Sequence, residues 1–196
     1  MHEVIFATGN PIKFQLGKNI CAQFGIVLKQ DILDVPEIQS EDGEPVARDK
    51  AEKAFARFQK PIITSDESWL IPGLKNFPGP YMRSMNDWFT PEDWLRLTSV
   101  LADRRIFLRQ FAVYQDAAVQ KLFYVDIEGV LLHEIRGKSP YPHSTITSFD
   151  GGKHSNAEFH ERGETSADHR QTVWHQLAPW LKERLVRGST KRAQLG

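Results

Sequence analysis

The chain of 196 residues carries 25 acidic and 25 basic side chains, so no net field is available to hold a duplex, a membrane surface or a strongly charged partner. Any anion it binds must be held by a local arrangement. The length fits one domain, expected over residues 1–186, while a polar stretch over 187–196 without apolar anchors is expected to be a disordered tail.

The opening MHEVIFATGNPIK has neither a basic lead-in nor a small-residue cleavage site, and nothing later is long and apolar enough to span a bilayer. The expectation is a cytoplasmic protein without nucleic-acid or membrane partners. One cysteine, Cys21, excludes an internal disulfide and falls with Phe14 and Phe24 on the expected buried side of a helix.

In chain order, Val4–Ala7 is an apolar run stopped by Thr8-Gly9-Asn10-Pro11, and Leu16, Ile20 and Phe24 then recur at helical spacing. That pattern predicts strand, loop and helix, with Gly25 ending the helix and Ile26–Leu28 returning as a second strand. After the polar connection EIQSEDGEP, Val46, Ala47, Ala51, Ala54, Phe55 and Phe58 predict a helix that Pro61 closes. Ile62–Ser65 predicts a third strand running into Asp66-Glu67-Ser68, which places carboxylates at a strand end, where open α/β sheets bind ligands. A helix over 91–101, strands over 107–114, 121–127 and 130–135, long loops over 137–163 and a helix over 172–185 complete the expected order.

Three constellations can carry chemistry. Thr8, Asn10 and Lys13 surround a helix start, where backbone N–H groups, the helix dipole and an ammonium suit a phosphate, although the glycine run of a Walker loop is missing. Glu41, Asp66 and Glu67 supply the hard oxygens that Mg²⁺ prefers, and that ion is often held by one or two carboxylates plus substrate oxygens. A further carboxylate there can take a proton from an attacking water. Lys53 and the pair His169-Arg170 add cations for phosphate or base contacts. His143, His154 and His160 lack the spacing of a zinc site.

Taken in order, these pieces resemble the inosine triphosphate pyrophosphatase family, which hydrolyses ITP, dITP and XTP to the monophosphate and pyrophosphate. VIFATGNPIKF is similar to its opening strand and T/S-x-N-x-x-K phosphate loop, and SEDGEPVARDKAEKA to its acidic-Gly loop and helix. SDESWLIPGLKNFPGPYMR is similar to its ADDSGL and APG-x-Y-S-A-R segments, and GGKHSNAEF with SADHR to its GKT-x-AE and SHR elements. The resemblance runs to about Leu185. It implies phosphate roles for Thr8, Asn10, Lys13 and Lys53, metal binding by Glu41 and Glu67, and catalysis by Glu67 with Asp66. It also implies nucleotide contacts from Ser68, Trp69, Lys153, His169 and Arg170, and a homodimer. The fold it implies is α/β, an elongated mixed β-sheet flanked by helices, with two lobes and a central nucleotide cleft.

The departures are equally specific. The family's second aspartate is Glu67 and the glycine after its serine is Trp69, a large ring that either fills part of the pocket or offers a stacking face. Its base-holding GGFGYDP-x-F segment has no counterpart, since the chain reads KSPYPHSTITSFD, where Tyr141 or Phe149 is the aromatic available to a base. The expected function is Mg²⁺-dependent hydrolysis of a nucleoside triphosphate with base specificity altered from ITP and XTP. The alternatives are a modified or pyrimidine nucleotide substrate, and a module that binds or senses a nucleotide without turnover.

Overall fold

The computed structural model describes residues 2–164 and 172–193, with the backbone alone for His2 and for 187–193. Strand β1 (His2–Ala7) leads into helix α1 (Pro11–Ala22), and β2 (Ile26–Asp31) returns parallel to β1 in register from His2 opposite Ile26. Helix α2 (Gly43–Phe58) crosses to β3 (Ile62–Ile71), which pairs with β1 over two positions, Ile5 with Ile62 and Phe6 with Ile63. There the parallel ladder stops. Strand β3 runs on as the antiparallel partner of β5 (Arg105–Gln115), paired from Ile62 to Leu70.

A short β4 (Phe77–Gly79) also pairs with β3, and β6 (Gln120–Leu131) and β7 (Thr147–Ser148) extend the far side. The sheet is therefore mixed and seven-stranded, in the order β2-β1-β3-β5-β6-β7 with β4 beside β3. Helices α3 (Met82–Trp88), α4 (Pro91–Thr98), α5 (Asn156–Glu161) and α6 (Trp174–Ala193) flank it.

Several expectations from sequence shift. Strand β3 runs through Asp66, Glu67 and Ser68 instead of ending before them, because pairing with β5 satisfies its backbone as far as Leu70. The strand expected over 121–127 extends to Leu131 as β6, so that 132–135 of the strand expected over 130–135 is not strand, and α3 was not expected. The loops expected over 137–163 hold β7, α5 and a 3₁₀ turn, Pro142–Thr145. Helix α6 carries Pro179 in its second turn and continues to Ala193, so the backbone over 187–193 is helical where a disordered tail was expected. Arg187, Lys191, Arg192 and Ala193 are good helix formers, and no proline interrupts them.

Three apolar clusters fill the fold. Successive strand residues face opposite sides, so one face of β3 presents Ile63, Trp69 and Ile71 and the other presents Ile62. On the first face, Phe6, Ile63, Tyr114, Cys21 and Leu177 pack together near α1 and α6, while Trp69, Ile71, Leu108, Met85 and Trp94 pack near α3 and α4. The second face buries Ile62, Phe111 and Val113 against Ala47, Ala51 and Ala54 of α2. Cys21 is fully buried, and burial pushes its thiol up to about 12, the inert core behaviour expected of it.

Candidate active site

Between the two clusters on the first face of β3 lies a polar strip. Ser65 and Glu67 occupy it, with Gln110 of β5 opposite Glu67. This break separates the two apolar clusters on that face of the sheet. It lies just beyond the point where β1 parts from β3, beside the loop that leads into α1.

That loop is built by its own side chains. The Asn10 Oδ1 accepts from the Ile12 and Lys13 N–H groups at 2.9 and 3.1 Å, and the Thr8 Oγ1 accepts from the Asn10 N–H at 3.1 Å. Asn10 is thus the N-cap of α1, and its amide oxygen is committed to shaping the loop. Pro11 has no N–H, and the Phe14 N–H is already bonded to the Asn10 carbonyl. Among the described residues the donors left for an anion are the Thr8 hydroxyl, the Gly9 N–H, the Asn10 side-chain NH₂ and the Lys13 ammonium, and no acidic residue stands in the first turn to oppose them.

The Lys13 Nζ lies 3.4 Å from the Glu67 carboxylate, both partly exposed. On the other face of β3, the Lys50 Nζ lies 3.4 Å from Asp66 and 2.9 Å from Glu37. Adjacent carboxylates are therefore directed to opposite sides of the sheet, one towards α1 and one towards α2, each with its own lysine. Burial works against the Lys50 ammonium, but Asp66 and then Glu37 outweigh it and hold its pKa above the ordinary lysine value.

Lys50 was not singled out from the sequence; Lys53 was. The structure instead ties the Lys53 Nζ to the Pro36 carbonyl at 2.6 Å and to Asp49 at 2.7 Å, so this lysine fastens the loop before α2. Both residues fall on the polar side of one helix, and composition alone does not tell which one turns to the sheet. The signal was the 16-residue separation of Lys50 and Asp66, visible only once α2 packs on β3.

Glu41 is exposed on the connection before α2, and its carbonyl approaches the backbone at Gly79. Asp42 caps α2 by accepting from the Glu44 N–H at 3.1 Å. Ser68 is buried, with no partner for its hydroxyl among the described residues, and it abuts Gly43, where an added Cβ would collide with the Ser68 Oγ and stand 2.7 Å from the Phe111 ring. The Thr64 and Ser65 hydroxyls are likewise buried without a partner, so three such groups flank the two carboxylates. Lys153 is exposed in a turn organised by Asp150, with the Lys153 N–H donating to that carboxylate. His169 and Arg170 lie outside the described residues.

Trp69 is not an open stacking face. It is 9% exposed, with its ring 4.5 Å from that of His143 and 5.9 Å from that of Phe149. It fills space on the sheet two residues beyond Glu67. Tyr141 is 49% exposed at the mouth of the same region, its ring 6.4 Å from that of His143.

No group of three or more His, Cys, Asp or Glu side chains converges among the described residues. Single partly exposed carboxylates still suit Mg²⁺, which keeps several waters and needs only one or two of them, and Glu67 offers one on the α1 side of β3 and Asp66 one on the α2 side. It does not suit zinc, which wants several nitrogen or sulfur ligands. A shallow hollow elsewhere, along the outer edge of β6, is lined by charges that are already paired, Arg48 with Glu44 and Asp126 with Arg109.

A model of the Ham1 family matches residues 4–180. A dITP/XTP pyrophosphatase of Methanosarcina mazei is 27% identical over 182 residues, covering 92% of this chain and 98% of its own length. That of Saccharolobus solfataricus is 29% identical over 175 residues, covering 89% and 91%. Among solved structures, a HAM1 protein of Coxiella burnetii superposes with a TM-score of 0.75 at 19% identity, over 93% of this chain and 100% of its own. The Staphylococcus aureus Ham1 protein gives 0.70 at 20%, covering 93% and 99%.

Proposed function

The chain belongs to the Ham1 family, and from that premise we propose that it hydrolyses nucleoside triphosphates between the α and β phosphates, releasing the monophosphate and pyrophosphate. One observation carries the reading. Glu67 pairs with Lys13 where the parallel strands part beside a preformed anion loop, and Asp66 pairs with Lys50 directly behind it on the other face of β3. The names of the relatives, dITP/XTP pyrophosphatase, agree in reaction class.

The phosphate tail is held by the Thr8 hydroxyl, the Gly9 N–H and the Lys13 ammonium, with the positive end of α1 behind them. Lys13 is a point charge on a flexible stem, so a triphosphate draws it off Glu67. Glu67 is then free to take the proton of the attacking water, and Asp66 holds cation charge on the α2 side. Glu41 adds a further carboxylate from the exposed connection before α2. Glu67 and Glu41 would hold Mg²⁺, which would supply charge neutralisation at the phosphate oxygens, while Asp66 adds its charge from the other face of β3. Positioning and charge neutralisation supply most of the rate in such chemistry.

The base side is read differently from ITP and XTP specialists, because Trp69 fills the space beyond Glu67. The protein acts in the cytoplasm as a homodimer, over a single domain of residues 1–186. No helix among the described residues is long and apolar enough to cross a membrane. A competing reading, a nucleotide-binding module without turnover, draws on the Lys13–Glu67 pair, which satisfies both groups in the absence of catalysis.

Phosphate release from a panel of nucleoside triphosphates, with a coupling inorganic pyrophosphatase and with or without Mg²⁺, decides between them. Pyrophosphate formation in the Mg²⁺ arm supports hydrolysis. Saturable nucleotide binding with no product in either arm replaces it by the binding module.

A further inference from the structure

His143 stands on the 3₁₀ turn Pro142–Thr145 and is only 6% exposed. Its ring Nδ1 lies 2.8 Å from the Asn86 Oδ1, and its backbone N–H lies 3.5 Å from the same atom. A backbone N–H can only donate, so the Asn86 atom facing it is the amide oxygen, and the ring nitrogen against that oxygen must carry the proton. The neutral ring then has its lone pair on Nε2. Burial, with His160 nearby, lowers the His143 pKa to about 3, so the ring stays neutral at working pH. Among the described residues nothing donates to Nε2, and this nitrogen is not one of the fully buried polar atoms left without a partner, so it is open to an incoming donor.

The surroundings of this acceptor fit a base as its partner. The Trp69 ring meets the imidazole at 4.5 Å and 72°, and Trp69 follows Glu67 by two residues on the same face of β3. The Trp69–His143 wall therefore begins about 7 Å along the strand from the carboxylate, roughly the length of one sugar. With phosphates at Lys13 and Glu67, the base of a nucleotide reaches this wall.

We propose that His143 is a base-reading residue, its Nε2 accepting a hydrogen bond from an N–H group on the edge of the substrate's base, with Asn86 as the positioning residue that fixes the tautomer. The inference rests on the reading of the cleft as a nucleoside triphosphate site. It names a contact that phosphate alone does not make. A single acceptor meets the ring N–H of hypoxanthine and the amino group of adenine alike, so it binds bases without choosing sharply among purines.

The test uses the full chain labelled with ¹⁵N-histidine, and reads the ring nitrogens by two-bond ¹H–¹⁵N correlation. His143 is recognised as the ring that does not titrate across the ordinary imidazole range. In the free protein Nδ1 is expected protonated and Nε2 bare; a nucleoside triphosphate is expected to move the Nε2 resonance upfield, and inorganic tripolyphosphate, which lacks a base, to leave it in place. His143→Phe keeps a ring against Trp69 and is expected to weaken nucleotide binding by about 10- to 100-fold while changing tripolyphosphate binding by less than about twofold. A nucleotide that binds without moving Nε2 overturns the proposal, and so do equal losses for nucleotide and tripolyphosphate. If His143→Phe does not fold, the spectra of the unmodified protein decide alone. Failure of every nucleotide to bind brings down the triphosphate reading first and this inference with it, an outcome distinct from binding with an unmoved Nε2.

Discussion

Glu67 and Asp66 are neighbours in sequence and opposites in space, and their variants separate their roles. Glu67→Gln removes charge and basicity with little change in volume, so kcat is expected to fall by about 10²–10⁴-fold while the dissociation constant of the nucleotide stays nearly unchanged. Full turnover in that variant removes Glu67 from the mechanism. The two lysines of α2 make a sharper comparison. Lys50 contacts Asp66, whereas Lys53 contacts Asp49 and Pro36. Lys50→Ala is therefore expected to weaken triphosphate binding by about 10- to 100-fold, the scale of a charged hydrogen bond, and monophosphate binding much less. Lys53→Ala is expected to change either by less than about threefold, as suits a partly exposed pair whose loss is worth only about 0–1 kcal/mol. Isothermal titration with both ligands reads all four constants, and a larger loss at Lys53 than at Lys50 reverses the assignment.

Two elements bring chemistry to the sheet under tight packing. Gly43 begins α2 against Ser68 and Phe111, and a methyl group added there has no space. Gly43→Ala is expected to destabilise the fold by about 1–3 kcal/mol, as overpacking does, and to lower Tm in a thermal melt; an unchanged Tm means that α2 gives way freely. The segment around the Pro142–Thr145 turn is pH-sensitive for a different reason. Burial lowers the His143 pKa to about 3, against about 6.5 in the unfolded chain, so between those values the unfolded state binds the extra proton. Stability is then full above about pH 6.5 and falls as the pH drops towards 3, with this one group contributing a slope of up to about 1.4 kcal/mol per pH unit. Urea unfolding at a series of pH values is expected to show a shallower acid decline for His143→Phe than for the unmodified protein. Parallel declines would place the titrating group elsewhere.

For the whole molecule the question is which base the cleft takes. Phosphate contacts are common to every nucleotide, so discrimination has to come from groups that touch the base. Here the family's base-holding segment is rewritten and Trp69 occupies the sheet beyond Glu67. The ratio of kcat/KM for ITP over ATP or GTP is therefore expected to stay below about a hundredfold, the scale reached by a fully paired polar site. A side-by-side panel measures it, and a larger ratio means that the rewritten segment still builds a selective pocket.

Much of this was legible in the residues themselves. The loop Thr8-Gly9-Asn10, the helix behind it and the carboxylates after Ile62 follow from short-range rules, namely a capping side chain, a turn glycine and an apolar period, and the family resemblance followed from their order. What the sequence left open depends on contacts between distant segments. Only the pairing of β3 with β5 shows that Asp66 and Glu67 lie inside a strand and so face opposite sides, since alternation has meaning only once the strand is known to continue. Only the packing of α2 on the sheet selects Lys50 over Lys53, because three residues along a helix rotate a side chain by most of a turn but not all of it. The tautomer of His143 likewise waits on Asn86, 57 positions away, because the proton stays on whichever ring nitrogen the fold sets beside an acceptor.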